Sequence, residues 1–207
     1  MTVIVDYGVG NLFSLLSSFN AIGEKAVVSS ERSVVLNADR IVLPGVGAFS
    51  DAAFKLEKTG LKDAVMVAAK NGTPIMGVCL GMQLLFDKSF EFGEYNGLGL
   101  ISGEIRPIAE FTGDTLKIPH IGWNKLRKKR KHPLLKYTGE DDYAYFVHSY
   151  CAVNCDESVV ADTEYGTDIT AVVAKGSVLG CQFHPEKSGT AGLKILKAFT
   201  ELNKGDL

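Results

Sequence analysis

Five residues, Gly77-Val78-Cys79-Leu80-Gly81, constrain this chain more than any other stretch. They follow the apolar run Pro74-Ile75-Met76 and lead into Met82-Gln83-Leu84-Leu85-Phe86, whose spacing predicts a helix. A strand that must turn at once into a helix needs small residues on either side of the apex. The backbone can then bend sharply and neighbouring segments can come close. The apical side chain stands clear of the sheet, beside the first N–H groups and the positive end of the new helix. Such a position favours a thiolate over a thiol and offers donors to a developing oxyanion. Cysteine is also among the most buried residue types, so Cys79 taken alone suits a packing role as well.

A second motif, Gly180-Cys181-Gln182-Phe183-His184-Pro185-Glu186, lies near the other end of the sequence. In an extended segment residues i and i+2 project to one side, which puts His184 and Glu186 together, and Pro185 holds His184 in the extended region. Glu186 can then take the Nδ1 proton of His184 and leave Nε2 to exchange a proton with a thiol and a leaving amine. Separately, the histidine reads as a satisfied structural residue and the glutamate as a surface charge. Two independent signals for one Cys-His-Glu arrangement make coincidence the weaker reading.

The chain order begins as alternating strands and helices. Residues 3–5, 26–28 and 41–43 read as buried strands, 12–19 as a helix, and 51–71 as two helices broken near Gly60. Beyond residue 100 shorter strands are expected at 116–118, 143–147, 150–153, 159–161, 169–174 and 178–183, with a hairpin turn at Lys175-Gly176-Ser177. A last helix over 191–202 places Leu193, Leu196, Phe199 and Leu202 on one face. The fold class expected is α/β, three layers around a central mixed, mainly parallel sheet, in one domain spanning 1–207.

A formal net charge of −2 in 207 residues gives no reason to expect nucleic acid or a membrane as partner. The start of the sequence lacks a basic leader region, and no apolar run nears the ~18 residues of a membrane span, so a cytoplasmic protein is expected. The cysteines at 79, 151, 155 and 181 form no paired C-x2-C ligands, so neither zinc nor a disulfide is expected. The basic run Arg127-Lys128-Lys129-Arg130-Lys131-His132 reads as a solvated loop.

The elbow cysteine and the distal His-Pro-Glu resemble the class I, or triad, glutamine amidotransferases, over nearly the whole chain. Asp6-Tyr7-Gly8-Val9-Gly10-Asn11-Leu12, Pro44-Gly45-Val46-Gly47 and Pro119-His120-Ile121-Gly122-Trp123-Asn124 narrow the resemblance to the histidine-biosynthesis branch of that family. Ile121 and Ser102 depart from the methionine and proline commoner in that branch. The resemblance implies a flavodoxin-like fold and no cofactor. It also implies hydrolysis of L-glutamine to glutamate and ammonia by Cys79, His184 and Glu186. Ammonia would pass to a (β/α)8-barrel cyclase subunit, forming a heterodimer that makes imidazole glycerol phosphate and an aminoimidazole carboxamide ribotide.

Acyl transfer needs donors for an oxyanion. The N–H of Leu80 is one, and an N–H of Val46 or of Gly47 is the other. The resemblance assigns glutamine recognition to Gln83, to Glu91 at the end of the elbow helix, and to Ser149 and Tyr150. It assigns the docking face to Asn11, Trp123, Asn124, Tyr145 and Lys187. Trp123, the one tryptophan, suits an interface anchor, while a half-buried core position is its other reading. Three alternatives remain open: a triad amidotransferase serving another synthase, a free-standing cysteine hydrolase, and a catalytically dead binding subunit.

Overall fold

Val3 to Val5, Ile41 to Leu43 and Ile75 to Val78 are fully apolar or glycine, and their burial on both faces is what a parallel sheet between two helix layers requires. The computed structural model describes residues 1–113 and 116–205. The first half runs β1 (Thr2–Val5), α1 (Leu12–Ala21), β2 (Ala26–Ser29), α2 (Arg32–Leu36), β3 (Arg40–Leu43), α3 (Phe49–Lys58), α4 (Leu61–Lys70), β4 (Ile75–Val78) and α5 (Leu80–Gln83). It continues through β5 (Phe86–Ser89), β6 (Tyr95–Asn96), β7 (Ile101–Pro107), α6 (Ala109–Thr112), β8 (His120–Lys125) and β9 (Arg127–Lys128). The rest is β10 (Tyr143–His148), β11 (Tyr150–Val153), β12 (Val159–Glu164), β13 (Asp168–Lys175), β14 (Val178–Cys181) and α7 (Gly189–Thr200).

The main sheet has eight strands in the order β2-β1-β3-β4-β14-β13-β12-β9. Pairing from β2 through β14 is parallel and from β14 to β9 antiparallel. Alternate residues of each strand face opposite layers. Val3, Val5 and Leu43 pack with α3 and α4, whereas Ile4, Val42 and Met76 pack with Leu15 and Phe19 of α1 and Ile195 and Phe199 of α7. The α/β class and the three layers expected from the sequence are those observed.

Several local expectations are corrected. Residues 26–28 form the edge strand, only half-buried rather than core, with Val27 exposed. The elbow helix is a single turn. The chain instead pairs around Leu84 to Phe86, where Leu98 N–H bonds Leu84 O, Leu100 and Ile101 N–H bond Leu85 O, and β5 begins at Phe86. Gly97 permits this approach, since a Cβ there would sit 2.2 Å from Phe86 O. Residues 116–118 are not a strand; the strand starts at His120, where pairing with β10 starts. β7, the partner of β5 and β11, was not foreseen and heads a separate four-stranded sheet, while β8 and β10 make a third. The final helix begins at Gly189 and ends at Thr200. The expected hairpin joins β13 and β14 through Gly176-Ser177.

The turn from β4 into α5 is closed by backbone contact with β3. A Cβ on Gly81 would lie 1.9 Å from Leu43 O, so nothing larger than glycine fits without moving β3. Gly81→Ala should therefore destabilise by about 1–3 kcal/mol or more, whereas Gly139→Ala, which meets nothing within 4 Å, should stay within about 0.5 kcal/mol of the parent. Urea denaturation of both variants checks this, and equal midpoints would refute it.

Candidate active site

Cys79 sits at the apex of the β4–α5 turn with φ 54° and ψ −113°, a conformation rare for any residue with a Cβ. Hydrogen bonds on both sides hold it there. Its N–H donates to Cys181 O at 2.8 Å, and its carbonyl accepts from Met82 and Gln83 N–H at 3.0 and 3.2 Å. The first tie belongs to the parallel ladder between β4 and β14, the second starts the helical turn.

His184 follows β14 at φ −96° and ψ 101°, the extended conformation that Pro185 requires. Glu186 does not reach it as a strand neighbour. Pro185–Lys187 forms one turn of 3-10 helix, and this turn brings Glu186 Oε1 to 2.8 Å from His184 Nδ1. Both side chains are almost completely buried, and Glu186 Oε2 has no hydrogen-bond partner. The main chain of His184 is fixed by β10, its N–H donating to Tyr145 O at 3.0 Å. Ser188 Oγ donates to His184 O and accepts from Tyr145 N–H, at 2.6 and 2.9 Å. Burial alone would depress the imidazole pKa, but hydrogen bonds to Cys79 and Glu186 outweigh it and raise the value from 6.5 to about 9.

Cys79, Leu80 and His184 open on a cavity of about 300 Å³ that Val46, Gly47, Gln83, Glu91, Ser149 and Tyr150 also line. The residues expected to bind substrate and oxyanion thus converge. Val46 is 44% exposed and Gly47 has φ 92°, while the root of their loop is tied by Tyr7, whose hydroxyl donates to Pro44 O at 2.6 Å. Burial pushes the Tyr7 phenol up, as do the nearby Asp51 and Cys79. Glu91 stands after β5 rather than on a helix, and its carboxylate accepts the Phe49 N–H at the start of α3. Burial raises its pKa, partly offset by that bond. Gln83 is buried. A larger cleft, about 750 Å³ around Arg130, His132, Cys155 and Lys175, includes none of these residues.

On the outer face of β8, Trp123 pairs with Tyr145 across the strands, their rings 6.0 Å apart edge to face, and Lys187 Nζ lies 6.0 Å from the Tyr145 ring. Trp123 and Ile121 are 52% and 58% exposed. Asn124 projects to the other face of the strand, and Asn11 occupies the N-cap position of α1.

Sequence reasoning missed what Asn124 touches. Its Nδ2 lies 3.0 Å from His120 Nε2, His120 Nδ1 lies 3.0 Å from His148 Nε2, and His148 Nδ1 lies 2.8 Å from Tyr150 O. A carbonyl can only accept, so His148 carries its proton on Nδ1. Its Nε2 then accepts, which puts the His120 proton on Nδ1 as well. Both rings are neutral, and burial drives their pKa values down to about 4 for His120 and about 3 for His148. The antiparallel register of β8 and β10 sets His120 opposite His148. Gln182, fully buried, was also overlooked. Its Nε2 is 3.7 Å from Cys79 Sγ.

The basic run is exposed over residues 128–131, as expected, but it is not wholly a loop and its cations are paired. Arg127–Lys128 is strand β9, Arg127 and Lys129 pair with buried Asp162 and with Asp168, and Arg130 donates to the Ala174 carbonyl. Among the described residues no group of His, Cys, Asp and Glu is arranged to hold a metal ion, all four cysteines are free and buried, and no helix is long and apolar enough to cross a membrane.

The family model described as "Glutamine amidotransferase class-I" matches residues 3–202. The HisH subunit of imidazole glycerol phosphate synthase from Wolinella succinogenes is 48% identical, over 98% of this chain and 100% of its own length. That of Lactococcus lactis is 47% identical, over 96% and 97%. A solved glutamine amidotransferase structure superposes with a TM-score of 0.75 at 18% identity, covering 96% of this chain and 97% of its own, and so shares the fold.

The two histidine environments give opposite pH dependences. A depressed folded-state pKa at His120 and His148 means stability that is complete above about pH 6.5 and is lost as pH falls toward 4 and 3. The raised value at His184 means stability complete below 6.5 and lost as pH rises through about 9. Urea unfolding between pH 4.5 and 7 should show the wild type losing stability on acidification and His148→Gln losing less. Parallel slopes would refute the assignment.

Proposed function

The chain belongs to the class-I glutamine amidotransferases and, among them, to the HisH subunits of imidazole glycerol phosphate synthase, and from that membership we propose how its residues divide the work of the glutaminase. The observation that carries the proposal is the placement of His184, which is hydrogen-bonded to Glu186 at 2.8 Å and lines one cavity with Cys79.

Cys79 Sγ attacks the carboxamide carbon of L-glutamine as the thiolate, its proton already held on His184 Nε2. The carbonyl oxygen becomes an oxyanion, accepted by the N–H of Leu80 and an N–H of Val46 or Gly47. His184 returns the proton to the leaving nitrogen, the C–N bond breaks, and ammonia departs from a glutamyl thioester. Water then attacks the thioester with His184 as base, releasing glutamate and restoring Cys79. Glu186 holds the Nδ1 proton and so keeps Nε2 facing sulfur. Gln83, Glu91, Ser149 and Tyr150 hold the polar groups of glutamine in the 300 Å³ cavity.

Ammonia released to bulk water would be protonated and diluted, so its consumer must dock. The partner is the cyclase subunit, a (β/α)8 barrel, and the exposed Trp123, with Tyr145 and Lys187 beside it, supplies the docking face. Asn124 bears on that face through the strand it shares with Trp123, and Asn11, at the N-cap of α1, is assigned to the same face.

Glutamate release should be low for the subunit alone and rise strongly with the cyclase and its nucleotide substrate. Full activity of the subunit alone would favour a free-standing hydrolase. Cys79→Ala should reduce turnover by about 10⁴-fold or more while leaving complex formation intact; unchanged turnover would remove Cys79 from the mechanism. Trp123→Ala should weaken the complex by about 2 kcal/mol, roughly 30-fold in Kd, in titration calorimetry.

A further inference from the structure

Gln182 lies in the strand-end segment between β14 and His184, with no exposed surface, its N–H donating to Ala171 O on β13 at 2.9 Å. Its side chain has two neighbours. Oε1 accepts from Gln83 Nε2 at 3.0 Å, and Nε2 points to Cys79 Sγ at 3.7 Å.

The orientation of these amides is dictated by their surroundings. Gln83 Nε2 also lies 3.3 Å from Tyr150 O, which can only accept, so the NH2 end of Gln83 must face that carbonyl. The same NH2 faces the Gln182 amide, whose near atom is therefore the oxygen. The far atom, the one against sulfur, is then the NH2. Tyr150 O is itself held by His148 Nδ1–H, and His148 by His120 and Asn124. Every donor in the series has one acceptor direction open to it, and flipping any amide would set oxygen against oxygen or donor against donor.

We propose that Gln182 is a further catalytic residue of the glutaminase, whose side-chain N–H donates to the Cys79 sulfur and holds it toward the cavity while it carries negative charge. The assignment rests on Cys79 being the nucleophile. Thiolate attack needs an anion that is both stabilised and aimed, and a buried amide with its oxygen already engaged donates more strongly than a free one. A donor on sulfur enlarges the thiolate fraction by more than it blunts the anion, because nucleophilicity falls with only about the 0.4–0.5 power of acidity. The same donor leaves the sulfur free to become the thioester, since it breaks no bond and holds no proton in transit.

Gln182→Glu keeps the shape and the acceptor for Gln83 but turns an oxygen toward sulfur. Gln182→Met keeps the volume and offers no donor, and it carries the test if the buried carboxylate prevents folding. With thermal unfolding and cyclase binding as controls, the folded variants should lose about 10- to 100-fold in kcat with little change in the KM for glutamine. Alkylation of Cys79 by iodoacetamide at neutral pH, followed by peptide mass spectrometry with Cys79→Ala as background, should slow by about threefold to tenfold. Wild-type alkylation rates in a folded variant would overturn the proposal, even with kcat reduced, because Gln182 would then act on glutamine and not on sulfur. A change confined to KM would overturn it too. Absence of selective labelling at Cys79 in the wild type would instead remove the nucleophile assignment, and this proposal with it.

Discussion

The parallel pairing of β4 with β14 is the contact on which the site depends. The two strands lie far apart in the sequence, and their ladder sets Gly77 beside Gly180 and Val78 beside Cys181, then ends in the bond from Cys79 N–H to Cys181 O at 2.8 Å. Beyond that bond the chains diverge, one bending into α5 and the other running on to β10. Cys79 on one side and Gln182 and His184 on the other are the first residues past the divergence. Their meeting at the carboxyl edge of the sheet follows from the rule that crevices in open α/β sheets form where neighbouring strands part. A slip of one residue in this register would turn every side chain on the strand to the other face and separate the groups.

Burial decides the protonation of His148, and at His184 the partners overrule it. His184 and His148 are both nearly inaccessible, and burial pushes both toward the neutral form. At His184 the glutamate and the thiol reverse the effect, taking the value to about 9. At His148 the neighbours are another neutral imidazole and a carbonyl, and the value falls to about 3. One ring can thus bind and release protons in the chemistry, while the other stays a fixed donor. The orphaned Glu186 Oε2 marks the cost of the first arrangement: a buried carboxylate with one oxygen committed and the other without a partner.

Much of the fold was legible because its signals are local. β1, β3 and β4 announce themselves as short apolar runs, α3 and α4 as periodic segments broken at Gly60, which takes φ 71°, and the β13–β14 hairpin as a glycine turn. The elbow and the His-Pro-Glu segment were legible because the chemistry demands particular residues at fixed spacing. The failures have a common cause in tertiary contact. Met82 to Phe86 carry a helical pattern, but Leu84, Leu85 and Phe86 are all buried and their carbonyls are claimed by residues 98–101, so the helix ends after one turn. Glu91 moved off the helix for the same reason. The ion pairs of the basic run were hidden because its acidic partners, Asp162 and Asp168, arrive from strands far along the chain. Gln182 was visible as a letter in the motif, yet its role depends on which way an amide faces, and only the Gln83 and Tyr150 contacts fix that.

The antiparallel pair β8 and β10 ties the exposed aromatic surface to the chemistry by two separate routes. On one, Tyr145 carries its ring beside Trp123 and its carbonyl to the N–H of His184, so ring and catalytic base hang from the same residue. On the other, β8 passes from Trp123 to Asn124 and then through His120, His148, the Tyr150 carbonyl, Gln83 and Gln182 to the sulfur. The first route is main chain and stiff. The second is side chain, with every proton position determined. A contiguous chain of bonds is a path, and it becomes coupling only if the element that anchors it has two arrangements whose balance a partner can shift. Among the described residues β8 and β10 ladder with each other, but β8 runs through Leu126 into β9, the edge strand of the eight-stranded sheet, and is fastened to that sheet there. Displacing β10 against the segment that follows β14 would break the bond from His184 N–H to Tyr145 O, so the aromatic surface and the base are held as one unit.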